Sequence, residues 1–167
     1  MTLLRRTMIT SFISICLLVP LLAVAKSAPG FTLMNAEGDK VSLTDFQGKP
    51  LVLHFWASWC PYCTTVQPGL EALIEEYADD ELVVLAVNFR EDDGVQPQAV
   101  LAGRGLTFST LLQGDSAAIA YGVRGTPTTF FINAEGEIVG MTNTSKAEDP
   151  ELRSLADLAT GRTSKAE

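Results

Sequence analysis

Histidine, cysteine and basic residues are scarce in this sequence of 167 residues. It contains one histidine and three cysteines, whereas structural zinc sites use four such ligands and most iron-sulfur clusters are held by four thiolates. We therefore expect neither a metal site nor a cofactor. Lysine and arginine total 12 against 20 aspartates and glutamates, which gives a net charge of −8. Because this charge disfavours binding to a phosphate backbone, nucleic acid is not an expected partner.

The start of the chain has the pattern of an export signal. Arg5 and Arg6 precede an uncharged, largely apolar run over residues 8–25, and the run ends in Ala-Val-Ala at residues 23–25. A basic start, an apolar stretch and small residues at its end are typical of a secretory signal. A run of this length is also near the lower limit for a membrane span. Both a cleaved signal and a retained anchor therefore remain open.

These patterns divide the chain into three parts. We predict a signal peptide or an N-terminal membrane anchor over residues 1–25, a folded domain over 26–160 and a flexible tail over 161–167. The composition supports a single globular domain, because 47% of the residues are hydrophobic and 19% are charged. We expect the protein to be exported and to lie in the periplasm or face the extracytoplasmic side. Any contact with the membrane would come through residues 1–25 alone.

Export changes the interpretation of the cysteines. Cys16 lies inside the apolar run, so a processed domain would keep only Cys60 and Cys63. A disulfide between two cysteines three positions apart closes a very small loop, and the stabilisation from a disulfide falls as the loop shortens. A cysteine pair in an oxidising compartment that contributes little stability points to a redox role.

Hydrophobic periodicity predicts alternating strands and helices. The predicted strands are two short ones within residues 31–43, followed by 51–56, 82–89, 108–112, 128–132 and 137–141. The predicted helices cover residues 61–77, 96–103 and 116–121, with a last one that begins at Asp149-Pro150. Residues 26–30 are interpreted as a linker. The succession of strand 51–56, helix and strand 82–89 predicts a parallel crossover, and strands 128–132 and 137–141 predict a hairpin.

The cysteine pair occupies a position that favours thiol chemistry. The segment Trp-Cys-Pro-Tyr-Cys at residues 59–63 lies where the apolar strand ends and the first long helix begins. Free N–H groups and the helix dipole at this point stabilise a thiolate on Cys60, which lowers its pKa and makes it a nucleophile. Cys63 follows one turn further along the helix, where it can act as the resolving thiol.

Two segments then resemble a known family. Phe-Trp-Ala-Ser-Trp-Cys-Pro-Tyr-Cys at residues 55–63, Pro68, and Tyr-Gly-Val-Arg-Gly-Thr-Pro-Thr-Thr-Phe at residues 121–130 resemble the thioredoxin fold. Together with the export pattern they are most similar to the TlpA/ResA branch of thiol-disulfide oxidoreductases. The resemblance implies an α/β fold with a central mixed sheet, made of a parallel core and a C-terminal hairpin, flanked by helices. A short N-terminal β extension would precede it.

The resemblance also implies the chemistry and the partners. It implies a cis peptide bond between Thr126 and Pro127, with Thr126 pairing through its backbone with an extended segment of the client. The substrates would be protein disulfides and thiols, such as those of apocytochrome c or of copper-centre proteins, and a membrane or periplasmic thiol would supply electrons. We expect Cys60 and Cys63 to be catalytic. The residues expected to support them are Trp59, Pro61, Tyr62, Thr126, Pro127 and His54.

The chain departs from the family pattern at both usual proton acceptors. Thioredoxins carry a buried acid six residues before the first cysteine, where this chain has His54. Many TlpA/ResA relatives carry a glutamate three residues after the second cysteine, where this chain has Val66. Two interpretations of His54 remain open: a core histidine bonded to a backbone carbonyl, or a base or charge partner for Cys63.

Other functions are compatible with a pair of cysteines. The two thiols could bind copper(I) as soft ligands in a delivery protein, or the pair could form disulfides rather than reduce them. Pro61-Tyr62 matches the dipeptide of glutaredoxins, so the reduction potential cannot be taken from thioredoxin. A peroxiredoxin is disfavoured because no Pro-x-x-x-Thr-x-x-Cys pattern precedes Cys60.

Two polar segments are interpreted as a loop and a turn, and not as ligand-binding sites. Glu-Asp-Asp at residues 91–93 is interpreted as a solvated loop, because hard cations need more converging ligands than one short run supplies. Gly-Arg-Gly at residues 103–105 lacks the lysine of a phosphate-binding loop and is interpreted as a turn.

Overall fold

The computed structural model describes residues 26–162. The interpretation of residues 1–25 as a signal or anchor lies outside this range, as does most of the predicted tail. The strands are β1 Lys26–Ser27, β2 Thr32–Met34, β3 Lys40–Ser42, β4 Leu51–Trp56, β5 Val83–Asn88, β6 Ser109–Leu111, β7 Thr128–Ile132 and β8 Glu137–Thr142. The α-helices are α1 Pro61–Glu76, α2 Pro97–Gly103, α3 Asp115–Ala120 and α4 Pro150–Thr160.

The main sheet is mixed, as the resemblance implied. Its six strands lie in the order β1-β8-β7-β4-β5-β6. β4 pairs in parallel with β5, which in turn pairs in parallel with β6. β4 also pairs antiparallel with β7, and β7 forms the antiparallel hairpin with β8. All six residues of β4 are buried, which explains its nearly continuous apolar sequence.

Helices and loops cover both faces of this sheet. Because side chains alternate along a strand, Val52 and Trp56 lie on one face of β4, where they join a hydrophobic cluster with α1, α2 and α4. Leu53 and Phe55 lie on the opposite face, in a second cluster with α3 and residues from the N-terminal strands. The result is a three-layer α/β fold whose central strand is enclosed on both sides.

The N-terminal segment differs from the expectation in one respect. β2 and β3 form the predicted pair of short antiparallel strands, as a separate two-stranded sheet. Residues 26–30, however, are not simply a linker, because β1 pairs antiparallel with β8 at the edge of the main sheet. A strand of two residues has no detectable periodicity, and its pairing depends on the free edge that β8 offers.

The C-terminal helix ends in contact with the domain. Asp149 caps α4 by accepting a hydrogen bond from the backbone N–H of Glu151 at 3.0 Å, as its position before a proline predicts. After the helix, Arg162 pairs with Asp80 and lies over the ring of Tyr77. The beginning of the predicted tail is thus attached to the end of α1. Between residues 26 and 162, no helix has both the length and the apolar character that a membrane crossing requires.

Candidate active site

The cysteine pair lies at the junction that the sequence predicts. The chain leaves β4 at Trp56, passes through a short loop and enters α1 at Pro61, with Cys60 as the N-cap residue in an extended conformation. The backbone N–H of Cys63 donates a hydrogen bond to Sγ of Cys60 at 3.1 Å. An N-terminal N–H group of the helix is therefore aimed at the sulfur, which is the arrangement that stabilises a thiolate.

The two cysteines form a disulfide in this structure. Their Cα atoms are 5.3 Å apart, within the ordinary range for a disulfide. Both residues are buried within the hydrophobic cluster of α1, while the side chains of Trp59 and Tyr62 on either side of Cys60 are more than half exposed. The disulfide is therefore flanked by two aromatic side chains that are available to a docking protein.

The predicted cis proline lies at the same edge of the sheet. The peptide bond between Thr126 and Pro127 is cis, in agreement with the resemblance. Since β4 and β7 are antiparallel and Phe55 faces Thr128, the start of β7 lies beside the end of β4. The side-chain amide of Asn143 donates hydrogen bonds to the carbonyl oxygen of Pro127 at 2.8 Å and to Oγ1 of Thr128 at 2.7 Å.

His54 is a buried histidine with one unused nitrogen. Its side chain is fully buried, and Nδ1 is 2.9 Å from Oγ1 of Thr129 on the neighbouring strand. Its hydrogen-bond partner is thus a hydroxyl and not a backbone carbonyl, which one of the two interpretations of His54 had assumed. Nε2 has no hydrogen-bond partner among the residues that the structure describes. Burial lowers the pKa of His54 from 6.5 to about 3, so the imidazole is neutral at physiological pH.

The alternation of β4 places His54 on the face that carries the disulfide. It lies between Val52 and Trp56 on that face, and both belong to the same hydrophobic cluster as Cys60 and Cys63. Val66, at the other position where relatives have an acid, is fully buried in the same cluster. His54 is consequently the titratable side chain that β4 contributes to this face of the sheet.

Two residues that hold the active-site loop were not identified from the sequence. Glu91 accepts hydrogen bonds from the backbone N–H of Ser58 at 2.8 Å and from its hydroxyl at 2.7 Å. The interpretation of residues 91–93 as a solvated loop therefore missed this role of Glu91. The parallel pairing of β4 and β5 could have pointed to this contact. Trp56 faces Asn88 across the two strands, so the residues that follow each strand lie at the same edge of the sheet.

Arg104 holds the other side of the loop. Its guanidinium donates hydrogen bonds to the carbonyl oxygen of Ser58 at 3.0 Å and to Oε1 of the buried Gln67 at 2.7 Å. It also lies over the ring of Trp56, 5.4 Å from the ring centroid. The interpretation of Gly-Arg-Gly as a plain turn missed this role. No feature of the sequence pointed to it, because the partners of Arg104 come from distant parts of the chain.

The fold and the site together define a class of protein. Among residues 26–162, no group of three or more histidine, cysteine, aspartate or glutamate side chains is placed to hold a metal ion. The three-layer fold, the disulfide at a helix N-terminus and the adjacent cis proline define the class of thioredoxin-like thiol-disulfide oxidoreductases.

Comparisons with known proteins support this class. The chain matches the AhpC/TSA family over residues 24–141. It is 39% identical over 115 residues to the thioredoxin-like protein YneN of Bacillus subtilis (strain 168), which covers 68% of this chain and 67% of the relative. It is 35% identical over 133 residues to the thiol-disulfide oxidoreductase ResA of Halalkalibacterium halodurans, which covers 76% of this chain and 75% of the relative.

A solved structure gives the same result. A protein from Chlorobium tepidum, described as a thiol:disulfide interchange protein of the DsbE type, superimposes with a TM-score of 0.70 at 29% identity. The superposition covers 81% of this chain and 96% of that one. The chain therefore belongs to the AhpC/TSA family, as a thioredoxin-like thiol-disulfide oxidoreductase.

Proposed function

We propose that this protein is an exported reductant of protein disulfides, with Cys60 as the attacking thiolate and Cys63 as the resolving thiol. The observation that carries the proposal is the Cys60–Cys63 disulfide at the N-terminus of α1, where an N–H group of the helix points at Sγ of Cys60. Thiolate stabilisation at Cys60 favours it as the nucleophile. Cys63 lies within the first turn of the helix with none of its surface exposed, against 3% for Cys60, so it is the better placed of the two to attack the sulfur attached to Cys60.

The reaction is a two-step exchange. The Cys60 thiolate attacks one sulfur of the client disulfide, so that a bond forms between Cys60 and the client while the client disulfide breaks. The second client sulfur leaves as a thiolate and takes a proton from water. Cys63 then gives up its proton and attacks Sγ of Cys60, which closes the Cys60–Cys63 disulfide and releases the first client sulfur as a thiolate that is protonated in turn.

The balance of electrons requires a donor. Each cycle passes two electrons to the client and leaves the protein with its disulfide, the form seen in the structure. A thiol donor in the membrane or the periplasm must restore the two thiols by exchange in the opposite direction. The clients that the family resemblance suggests are apocytochrome c and proteins that assemble copper centres.

We also propose that neutral His54 assists the second step by donating a hydrogen bond from Nε2–H to the Cys63 thiolate. The neutral imidazole carries one N–H group, and Nε2 has no competing partner in the described part of the chain. The low pKa argues against a positive charge beside Cys63 and against full transfer of the Cys63 proton to the imidazole. His54→Ala should slow the resolution of mixed disulfides and leave the first attack by Cys60 intact. If His54→Ala resolves mixed disulfides as fast as the unmodified chain at every pH between about 6 and 9, this role is contradicted.

Export rests on the N-terminal sequence pattern. The basic start, the apolar run and the small residues at 23–25 support either a signal peptide or an anchor. Mass spectrometry of the protein from the extracytoplasmic, membrane and cytosolic fractions of expressing cells distinguishes the two. A chain beginning at Lys26 indicates cleavage, an intact chain in the membrane indicates an anchor, and an intact chain in the cytosol contradicts export.

Trapping the mixed disulfide tests the roles of the two cysteines. In a Cys16→Ser background, the reduced Cys63→Ser variant should accumulate a covalent adduct with a disulfide-bonded client protein, because Cys60 attacks and no thiol resolves the product. The reduced Cys60→Ser variant should accumulate little adduct. Both are measured by mass spectrometry after quenching with acid. Equal adduct formation in the two variants would contradict the assignment of roles.

A further inference from the structure

A groove beside the disulfide has an unusual charge. The groove has a volume of about 750 Å³. It extends from Tyr62, which lies between the two cysteines in the sequence, to the cis-proline segment Thr126-Pro127. Lys26 and Arg124 also line it, whereas no aspartate or glutamate does. This lining contrasts with the whole chain, which carries 20 acidic against 12 basic residues.

The two cations of the groove are available to a ligand. Lys26 and Arg124 are exposed, and neither forms an ion pair with any residue that the structure describes. Other surface cations, such as Lys49 and Arg153, are paired with glutamates. A ligand that enters the groove therefore meets positive charge without having to displace an acidic partner.

The rest of the groove suits an extended polypeptide. Tyr62 and Met141 add exposed apolar surface, with 63% and 48% of their respective areas accessible. Aromatic and methionine side chains are adaptable contacts for a peptide. Because Tyr62 immediately precedes Cys63 and follows Pro61, a segment bound here lies next to the reactive disulfide.

We propose that the groove selects clients in which an acidic side chain lies close to the cysteine under attack, and that Lys26 and Arg124 recognise its carboxylate. The proposal rests on the proposed function and adds the chemical class of the preferred substrate. Opposite charges also attract the client before contact, so the preference should appear mainly in the rate of the first attack and weaken as salt is added.

Matched peptides test the preference. Each peptide carries one cysteine in a mixed disulfide with 2-hydroxyethanethiol, with two flanking positions that are both glutamate, both glutamine or both lysine. In a Cys16→Ser background, the reduced chain attacks the mixed disulfide, and the rate at which the mixed disulfide is consumed is measured at low salt. Exposed ion pairs are individually weak, so two of them predict that the glutamate peptide reacts about two- to thirtyfold faster than the glutamine peptide.

Charge variants locate the source of the preference. In Lys26→Gln/Arg124→Gln the ratio of glutamate to glutamine rates should fall to about one, and in Lys26→Glu/Arg124→Glu the lysine peptide should become the fastest. The control Lys40→Gln/Lys49→Gln changes the net charge equally at exposed positions outside the groove. It should keep the preference of the unmodified chain.

Reduction of the small neutral disulfide of 2-hydroxyethanethiol separates the two proposals. If the unmodified chain reduces this compound but treats the three peptides alike, the charge preference is wrong and the reductase stands. The same conclusion follows if the preference persists in Lys26→Gln/Arg124→Gln or disappears equally in the control. If the chain reduces neither the small disulfide nor any peptide, the proposed function itself is wrong.

Discussion

His54 is held neutral by burial, and this makes the stability of the domain depend on pH. In the folded protein its pKa is lowered from 6.5 to about 3 by desolvation. Between these values an unfolded chain binds a proton that the folded chain does not. Titration of His54 therefore leaves the free energy of unfolding unaffected well above pH 6.5 and lowers it progressively as the pH falls toward 3.

Removing the imidazole should remove this dependence. We predict that the free energy of unfolding falls less steeply in His54→Gln than in the unmodified chain as the pH is lowered from about 6.5 to 5. The two slopes should differ by up to about 1.4 kcal/mol per pH unit. Urea unfolding of the oxidised protein at several pH values measures the slope. Because carboxylates titrate equally in both proteins, the difference between their slopes isolates His54. Parallel curves for the two proteins would show that the imidazole is not held neutral.

Glu91 stabilises the active-site loop through its charge. Burial raises the pKa of this carboxyl, but hydrogen bonds from Ser58, Asn88 and the N–H of Asp92 outweigh burial and leave the pKa below its usual value. Because the pKa is lowered, the stabilisation that Glu91 provides to the folded protein is fully present above the pKa that this glutamate has in the unfolded chain. It is lost as the pH falls through the folded value.

The corresponding prediction uses two amide substitutions in one loop. Glu91→Gln should lower the free energy of unfolding by about 1 kcal/mol at pH 7, because the bonds from Ser58 lose a charged acceptor. The effect should shrink in acid, where the carboxyl of the unmodified chain is itself protonated. Asp93→Asn makes the same charge change at an exposed position and should alter stability little. Equal effects of the two substitutions would refute the specific role of Glu91.

At the level of elements, α1 packs unusually closely against the loop between β8 and α4. A Cβ atom added at Gly69 would overlap the backbone of Ala147, so only glycine allows this approach. One turn earlier, the hydroxyl of Thr65 donates a hydrogen bond to the carbonyl oxygen of Ser145 at 2.7 Å. Since Ser145 also lines the groove, this contact connects the position of α1 with the groove wall.

A pair of glycine substitutions tests this contact. Gly69→Ala should lower the free energy of unfolding by about 1–3 kcal/mol, because the backbone of Ala147 must move to admit the methyl group. Gly103→Ala is the matched control, since Gly103 ends a helix and a Cβ atom there meets nothing within 4 Å. It should leave stability unchanged or raise it by up to about 1 kcal/mol. If both variants unfold alike, the close approach is not a constraint.

Local signals account for what the sequence could predict. The apolar run of β4, the proline after Cys60 and the cap at Asp149 are all encoded by neighbouring residues, and the structure confirms the elements that they predict. Pairing between distant segments was harder to predict. Arg104 and Gln67 are 37 positions apart, and β1 is defined only by the edge of β8.

At the level of the whole molecule, charge and fold have separate roles. The net charge of −8 opposes association with acidic surfaces in general. The groove beside the disulfide instead carries two positive charges, on Lys26 and Arg124. The fold brings the start of β7 and the end of β4 to one edge, so the disulfide and the groove lie side by side. In the proposed function, recognition and exchange therefore take place at a single site.

The reduction potential of the Cys60–Cys63 pair tests the reducing direction most directly. Within the described residues, the hydrogen bond found to Sγ of Cys60 is the one from the backbone of Cys63. The proposed reducing direction requires a thiol pair that gives up electrons readily, as in thioredoxin. Equilibration of the Cys16→Ser chain with defined thiol-disulfide buffers should give a value near that of thioredoxin, about −270 mV. A value near about −120 mV, as in a strong periplasmic oxidant, would mean that the protein forms disulfides instead of reducing them.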